Sequence, residues 1–397
     1  MPDQLNAELK NIQYPAIRNL RLVFKLLAVF FIIFLLGYSW LSWHLVKRDQ
    51  SKVLSSIAEL SGNSLDSYFS HYEHSFKVLA QEMIDEHGSI NPAHSHLLLK
   101  LFLQANPDLL IANVNLPDGQ ILVSSDVPQG EPLPSVANFS SFIMGRDELL
   151  KGGDFNIGRP SYGPLAKQWI IPLRYAVRDK KGGLLYILVA VLPMSRQQSF
   201  WRDLSLPENT ALGLLRDDAY LISRYPDTVT VDIEEIYGNP RAGILIEHLK
   251  QQAFPARGNV EGYIGIAKTQ SLFGYRRLLH HPVTFFVTTP IANVHEIWWQ
   301  QVRLTYLLLS LFVLGSYLVY RWTTQTQLAW EMERELHEEK LLSIYDGSND
   351  AIMLLAANGF VDCNARTLEM FGLQDKAEFI AHPPADFSPP LQPDGRD

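Results

Sequence analysis

Two β-favouring apolar runs, 169–177 and 184–191, flank the charged turn Arg178-Asp179-Lys180-Lys181-Gly182-Gly183. A glycine-ended polar connection between such runs predicts a β-hairpin. The second run is apolar on both faces, which predicts a central strand of a sheet covered on both sides. The first run contains Pro172, which cannot donate to a ladder and predicts a bulge or a sheet edge. Upstream, Gly158, Arg159, Pro160, Tyr162, Gly163 and Pro164 form a polar and aromatic loop suited to closing over a small ligand.

Helical periodicity dominates the start of the chain. Leu54, Ile57, Leu65, Tyr68, Tyr72, Leu79 and Met83 recur at threes, fours and sevens, with one wider gap at Ser61. The pattern predicts one long helix stopping near His87-Gly88, a glycine of C-cap type. It continues from 26–43, which carries no charge, and a second uncharged stretch runs over 304–320. Each nearly reaches the roughly 20 apolar residues that cross a bilayer. Trp40, Trp43, Trp298, Trp299 and Trp322 sit at or near their ends, as interfacial anchors do. The first stretch is longer than an ordinary signal-peptide core and no small-residue cleavage site follows, so an anchor is expected. Lys10, Arg18, Arg21 and Lys25 precede it, and Lys47, Arg48 and Lys52 follow it. The positive-inside bias is modest and predicts a cytoplasmic amino terminus, 47–301 outside the cytoplasm and 321–397 back inside.

A strand–turn–strand scheme occurs three times: at 109–123 around Asp118-Gly119, at 211–223 around Arg216-Asp217-Asp218, and at 352–363 around Asn358-Gly359. Three copies predict three modules. In the second module, 262–268, 270–278 and 283–289 are expected to supply the remaining strands, and 291–301 a helix leading into the second span. Past that span, 321–343 is rich in helix formers, and Trp322, Ala329, Met332 and Leu336 fit a short heptad seam for a dimer. Asn364 is a suitable N-cap for a helix to about Met370.

The loop, W-x-I-x-L strand, D-x-x-G turn and apolar strand over 156–194 resemble the distal lobe of a double Cache domain, the extracytoplasmic tandem PAS-like sensor of bacterial receptors. From 342 onward the chain resembles a PAS domain, through Ser348-Asn349-Asp350-Ala351-Ile352, Asn358-Gly359, Val361-Asp362-Cys363-Asn364-Ala365 and Phe371-Gly372. The tail 387–396 resembles the segment of PAS domains placed ahead of cyclic-di-GMP enzymes. The resemblance implies an α+β architecture. The expected order is a cytoplasmic amino terminus (1–25), a first span (26–46) and a double Cache sensor (47–300), with a distal lobe at about 88–195 and a proximal lobe at about 200–297. A second span (301–321), a signalling helix (322–343) and an incomplete PAS domain (344–397) complete it.

Composition adds exclusions. With 47% hydrophobic residues in 397, the chain can bury cores for several modules. A net charge of −8 without a basic stripe gives no nucleic-acid footprint. One cysteine, Cys363, excludes an intrachain disulfide and cysteine metal clusters. His71 and His74, His94 and His96, and His280 and His281 are close pairs lacking the third ligand that a metal needs, and no cofactor motif occurs. His337 lies on a charged helix without an ATP site beyond it, and no phosphate loop or nucleophile elbow is present. The chain as given is therefore expected to be no enzyme.

The candidate ligand contacts are Arg159, Tyr162, Trp169, Arg174 and Tyr186. Arginine forks onto carboxylates and aromatic rings stack on apolar or cationic parts, a combination suited to an amino acid or organic acid. On a regular strand Trp169, Ile171, Leu173 and Tyr175 share one face and Arg174 takes the other. A bulge at Pro172 would bring Trp169 and Arg174 together. The expected whole is a homodimeric receptor of the bacterial inner membrane with a periplasmic sensor, relaying to cyclic-di-GMP turnover. A histidine kinase, a chemoreceptor input or an adhesion protein are the alternatives.

Overall fold

The structure is a computed structural model, and it describes residues 15–387 apart from 86, 196–205, 207, 208, 227–231, 265–268 and 358. Lys10, the tail resemblance at 388–396, Asn358 and the end of the predicted strand 262–268 lie outside the described residues, as do the side chains of Arg18 and Arg21. The chain divides into two units, Gly37–Arg303 and the remainder, Met1–Leu36 with Leu304–Asp397.

The first unit is organised on helix α1 (Pro15–Met83). Its stripe Leu54, Ala58, Leu65, Phe69, Tyr72 and Phe76 is buried in one core shared with the inner faces of two sheets. Fully burying side chains such as Phe69 and Phe76 is worth about 1.5–3 kcal/mol each. The helix ends at Met83 rather than near Gly88. Asp85 Oδ1 accepts from the backbone N–H groups of His87 and Ser89, offering them a local turn in place of another helical one.

Helix α2 (Pro92–Ala105) is next, N-capped by Asn91, whose side chain accepts from Ala93 and His94. The distal sheet comprises β1 (Ile111–Asn115), β2 (Ile121–Ser124), β3 (Phe155–Ile157), β4 (Ser161–Tyr162), β5 (Trp169–Arg178) and β6 (Leu184–Pro193), with α3 (Ser140–Leu150) over its outer face. The order is β2-β1-β6-β5-β3, and β4 pairs with β5 beyond β3. Strand β6 is central as its two-sided apolarity predicts. Leu188, Ala190 and Leu192 enter the shared core, while Ile187, Val189 and Val191 enter a second cluster with Phe142 and Leu149 of α3.

Pro172 causes no bulge. The β5–β6 register is regular from Ile170↔Pro193 to Val177↔Tyr186 and shifts only at Arg178. The Pro172 carbonyl accepts from Gly158 N–H on the opposite edge, where the partner chain leaves the ladder between β3 and β4. A missing N–H costs little at such a gap.

The proximal sheet comprises β7 (Ala211–Arg216), β8 (Leu221–Tyr225), β9 (Arg257–Ile264), β10 (Thr269–Arg277) and β11 (Val283–Pro290), with α4 (Ile233–Tyr237) and α5 (Ile244–Gln251) on its outer side. Its order is β8-β7-β11-β10-β9. Setting β4 aside, both sheets run second-first-fifth-fourth-third, the tandem PAS-like arrangement. Strand β9 begins five residues earlier than expected, because Arg257–Glu261 alternate polar and small residues yet pair fully with β10.

Helix α6 (Ile291–Gly347) starts directly after β11. Within the unit Gly37–Arg303, Trp298 Nε1 donates to Ser42 Oγ at 2.9 Å, and Trp43 stacks on His295 at 4.2 Å. Among the described residues, α1 and α6 are the two helices long and apolar enough to cross a membrane.

In the second unit, the apolar stretches of both helices are exposed, Phe30 and Phe312 by two thirds, and Phe24 stacks on Tyr320 at 4.6 Å. Met332 and Leu336 of the predicted seam are also exposed. Strands β12 (Met353–Ala356) and β13 (Gly359–Cys363) form a hairpin, succeeded by α7 (Ala365–Phe371) and α8 (Lys376–Ala381). Asn364 caps α7 as expected and also ties the hairpin down. Its side chain accepts from Ile352 and Thr367 N–H and donates to the Tyr345 and Asp350 carbonyls. Phe360, Phe371, Phe379 and Phe387 pack against one another below the hairpin.

Candidate ligand-binding site

The outer face of the distal sheet holds a cavity of about 70 Å³ between the strands, α3 and the turn 161–166. At least about five water-sized groups fit such a space, which suits a compact metabolite. Strand alternation supplies its floor: Ile111, Asn113 and Asn115 from β1, Ile170, Pro172 and Arg174 from β5, Val189 and Val191 from β6. Tyr162 and Phe142 close it from the side.

Among the described residues, Arg174 is its only charged lining residue, and it is 3% exposed. Nη1 donates to Asn156 Oδ1 and Nη2 to Ser141 Oγ, each at 3.2 Å, and Nε has no partner among the described residues. Space for the guanidinium exists because Gly145 and Gly158 lack side chains; a Cβ at either would collide with Nη1. Burial pulls its pKa down to about 9, Arg216 acts in the same direction and Glu148 opposes both. It remains a cation at neutral pH. The nearby carboxylate of Glu148 is engaged by Arg216 and by Asn156. Arg174 thus holds a buried charge with hydrogen bonds only to neutral groups. In the same lining, the amide oxygens of Asn113 and Asn115, 7% and 3% exposed, have no hydrogen-bond partner among the described residues. Buried polar atoms without partners cost about 1–3 kcal/mol each, and a ligand can supply what they lack.

The residues singled out from sequence separate into three groups. Arg174 and Tyr162 line the cavity. Arg159 faces the proximal lobe, bonded to Asp218 at 2.9 Å with its guanidinium 3.3 Å above the Tyr220 ring. Trp169 packs into the proximal outer cluster and Tyr186 onto the shared core, on the face of the distal sheet opposite Arg174. Because β5 stays regular through Pro172, its period of two keeps Trp169 and Arg174 apart. Asn113, Asn115 and Ser141 were not singled out. The available signal was two asparagines at i and i+2 in an apolar strand, a residue type depleted there.

Residues 339–396 match the PAS domain family model. The PAS segment thus includes the β12–β13 hairpin, its Asn364 cap and the phenylalanine cluster. A comparison with curated protein sequences gives no match. Among solved structures, the extracellular domain of rpHK1S-Z16, described as a histidine kinase, is similar at 14% identity, with 61% of this chain and 95% of that one covered and a TM-score of 0.48. The ligand-binding domain of the Pseudomonas fluorescens chemoreceptor CtaA with L-isoleucine is similar at 13% identity, covering 64% and 98%, with a TM-score of 0.44. That of the Campylobacter jejuni chemoreceptor Tlp3 with L-valine is similar at 14%, covering 64% and 98%, with a TM-score of 0.42.

Proposed function

We propose that this chain is a membrane-embedded sensor whose distal lobe binds a free α-amino acid. The observation that carries the proposal is the composition of the distal cavity: a buried Arg174 without an acid partner beside two unsatisfied amide oxygens, within apolar walls. A carboxylate can take the guanidinium, an ammonium group can donate to Asn113 and Asn115, and a small apolar side chain fills the rest.

The same reading has α1 and α6 crossing the bacterial inner membrane, with the sensor periplasmic and both termini cytoplasmic. Its support is the exposure of their uncharged stretches and the basic residues before the first one. Helix α6 carries the signal toward the PAS segment, in a homodimer whose seam includes Ala329, Met332 and Leu336. Cyclic-di-GMP turnover is the proposed output, supported by the resemblance of the tail 387–396. A kinase or chemoreceptor output would be distinguished by the coding sequence downstream.

The test uses the full chain in nanodiscs, titrated with single L-amino acids and with the matching amino-acid amides, which keep the ammonium and lose the carboxylate. Saturable binding of a small apolar amino acid, weakened at least tenfold in its amide, is expected. Equal binding of acid and amide would remove Arg174 from the reading. Reporter fusions at Gly130 and Asp397 check topology, and a cytoplasmic signal at Gly130 would overturn it.

A further inference from the structure

We infer that the proximal lobe holds a second, separate ligand site, for a monocarboxylate with an apolar body. The outer face of the proximal sheet borders a cavity of about 300 Å³, larger than the distal one. Leu215, Phe273 and Phe286 form its floor, Tyr263 and Ile264 one wall, and the first turn of α5 another. Its charged lining residues are Arg224 and Arg241; among the described residues no carboxylate lines it. Arg241 is fixed in place by donating to the Ile236 and Glu235 carbonyls at 2.9 and 2.6 Å.

Two further features favour an anion. Helix α5 begins at Gly243, whose φ of 136° suits glycine and whose missing side chain leaves the helix without a side-chain cap. Ala242 through Ile246 line the cavity, so the first turn, whose N–H groups have no intrahelical partner and which carries the positive dipole end, borders the same space. Independently, Thr288 lines the cavity, is 2% exposed, and its Oγ1 has no hydrogen-bond partner among the described residues. Strand alternation sets Thr288 beside Phe286 on this face, while Phe285 and Val287 enter the shared core. A carboxylate can accept from Thr288, the helix start and Arg241, and its apolar remainder meets the phenylalanines. A multiply charged phosphate would leave those apolar walls unused.

The experiment is calorimetric titration of the full chain in nanodiscs with hexanoate, using empty nanodiscs as the blank. One saturable site per chain is expected, with no response to hexanol. Ala242 is exposed at the cavity mouth, so Ala242→Trp should abolish binding without disturbing the core. Thr288→Val should weaken it at least fivefold, and Arg174→Gln in the distal cavity should leave it unchanged. Absence of saturable binding, binding lost in Arg174→Gln, or binding undiminished in Ala242→Trp would each overturn the inference. Amino-acid binding that persists in Ala242→Trp keeps the two sites distinguishable.

Discussion

Replacing Asn113 with leucine should raise the stability of the free sensor while removing much of its response to ligand. Asn113 is 7% exposed with an unpartnered amide oxygen, and leucine is close to it in shape. Removing a buried unsatisfied amide recovers about 1–3 kcal/mol. Taking about 2 kcal/mol, and roughly 2–4 °C per kcal/mol for a domain of this size, the melting temperature should rise by roughly 4–8 °C. Ligand at about 100 times Kd stabilises the unsubstituted protein by about 2.7 kcal/mol. Losing one hydrogen bond to a charged ammonium, also about 2 kcal/mol, weakens Kd roughly 30-fold. At the same ligand concentration the stabilisation then falls to about 0.9 kcal/mol. Thermal melts of both proteins, with and without the amino acid, measure both quantities. A lowered melting temperature without ligand, or an unchanged ligand shift, would refute the assignment of Asn113 as an amide waiting for a ligand.

His281 sits against Phe69 and Phe155, and its pKa is lowered by burial, which Asp66 opposes and His280 reinforces. Since its folded pKa lies below the ordinary value of about 6.5, its contribution is intact above that pH and is lost as pH falls through the folded pKa. Urea midpoints from pH 7.5 to 5.5 should therefore fall more steeply than in His281→Phe, and equal slopes would contradict this. Glu148→Gln removes the carboxylate that binds Arg216 of the proximal lobe and Asn156 of the distal one. A loss of about 1–3 kcal/mol in denaturant titrations, with faster amide exchange at Phe155–Ile157, is expected. In a receptor with its output intact, four residues inserted after Gln327 of α6 rotate the downstream part of the helix by about 40°. Seven rotate it by about −20°, so the four-residue insertion should impair ligand-dependent output more, and equal responses would rule out a phase-sensitive helix.

Local pattern determined much of this architecture. The two-sided apolarity of 184–191 specified a central strand, the repeated strand–turn–strand units marked the first two strands of each sheet, and the Asn364 cap and the two long apolar helices were readable because caps and helical periodicity depend on neighbours in sequence. Their limits depended on competing local bonds, as where Asp85 ends α1 four residues early. Strand parity likewise put Arg174 opposite Trp169, and the structure differs from the bulged alternative because the chain opposite Pro172 leaves the ladder. What sequence could not decide was which arginine is already neutralised. Arg159 and Arg174 are equivalent as letters, yet folding brings Asp218 from 59 positions away to Arg159 and leaves Arg174 hydrogen-bonded to the neutral side chains of Asn156 and Ser141. Asn113 and Asn115 are likewise ordinary polar letters until tertiary packing closes them off from water. Periodicity is set by residues a few positions apart, whereas desolvation and charge pairing are set by whatever the fold brings alongside, so only the tertiary structure could identify the unsatisfied groups on which the binding proposals rest.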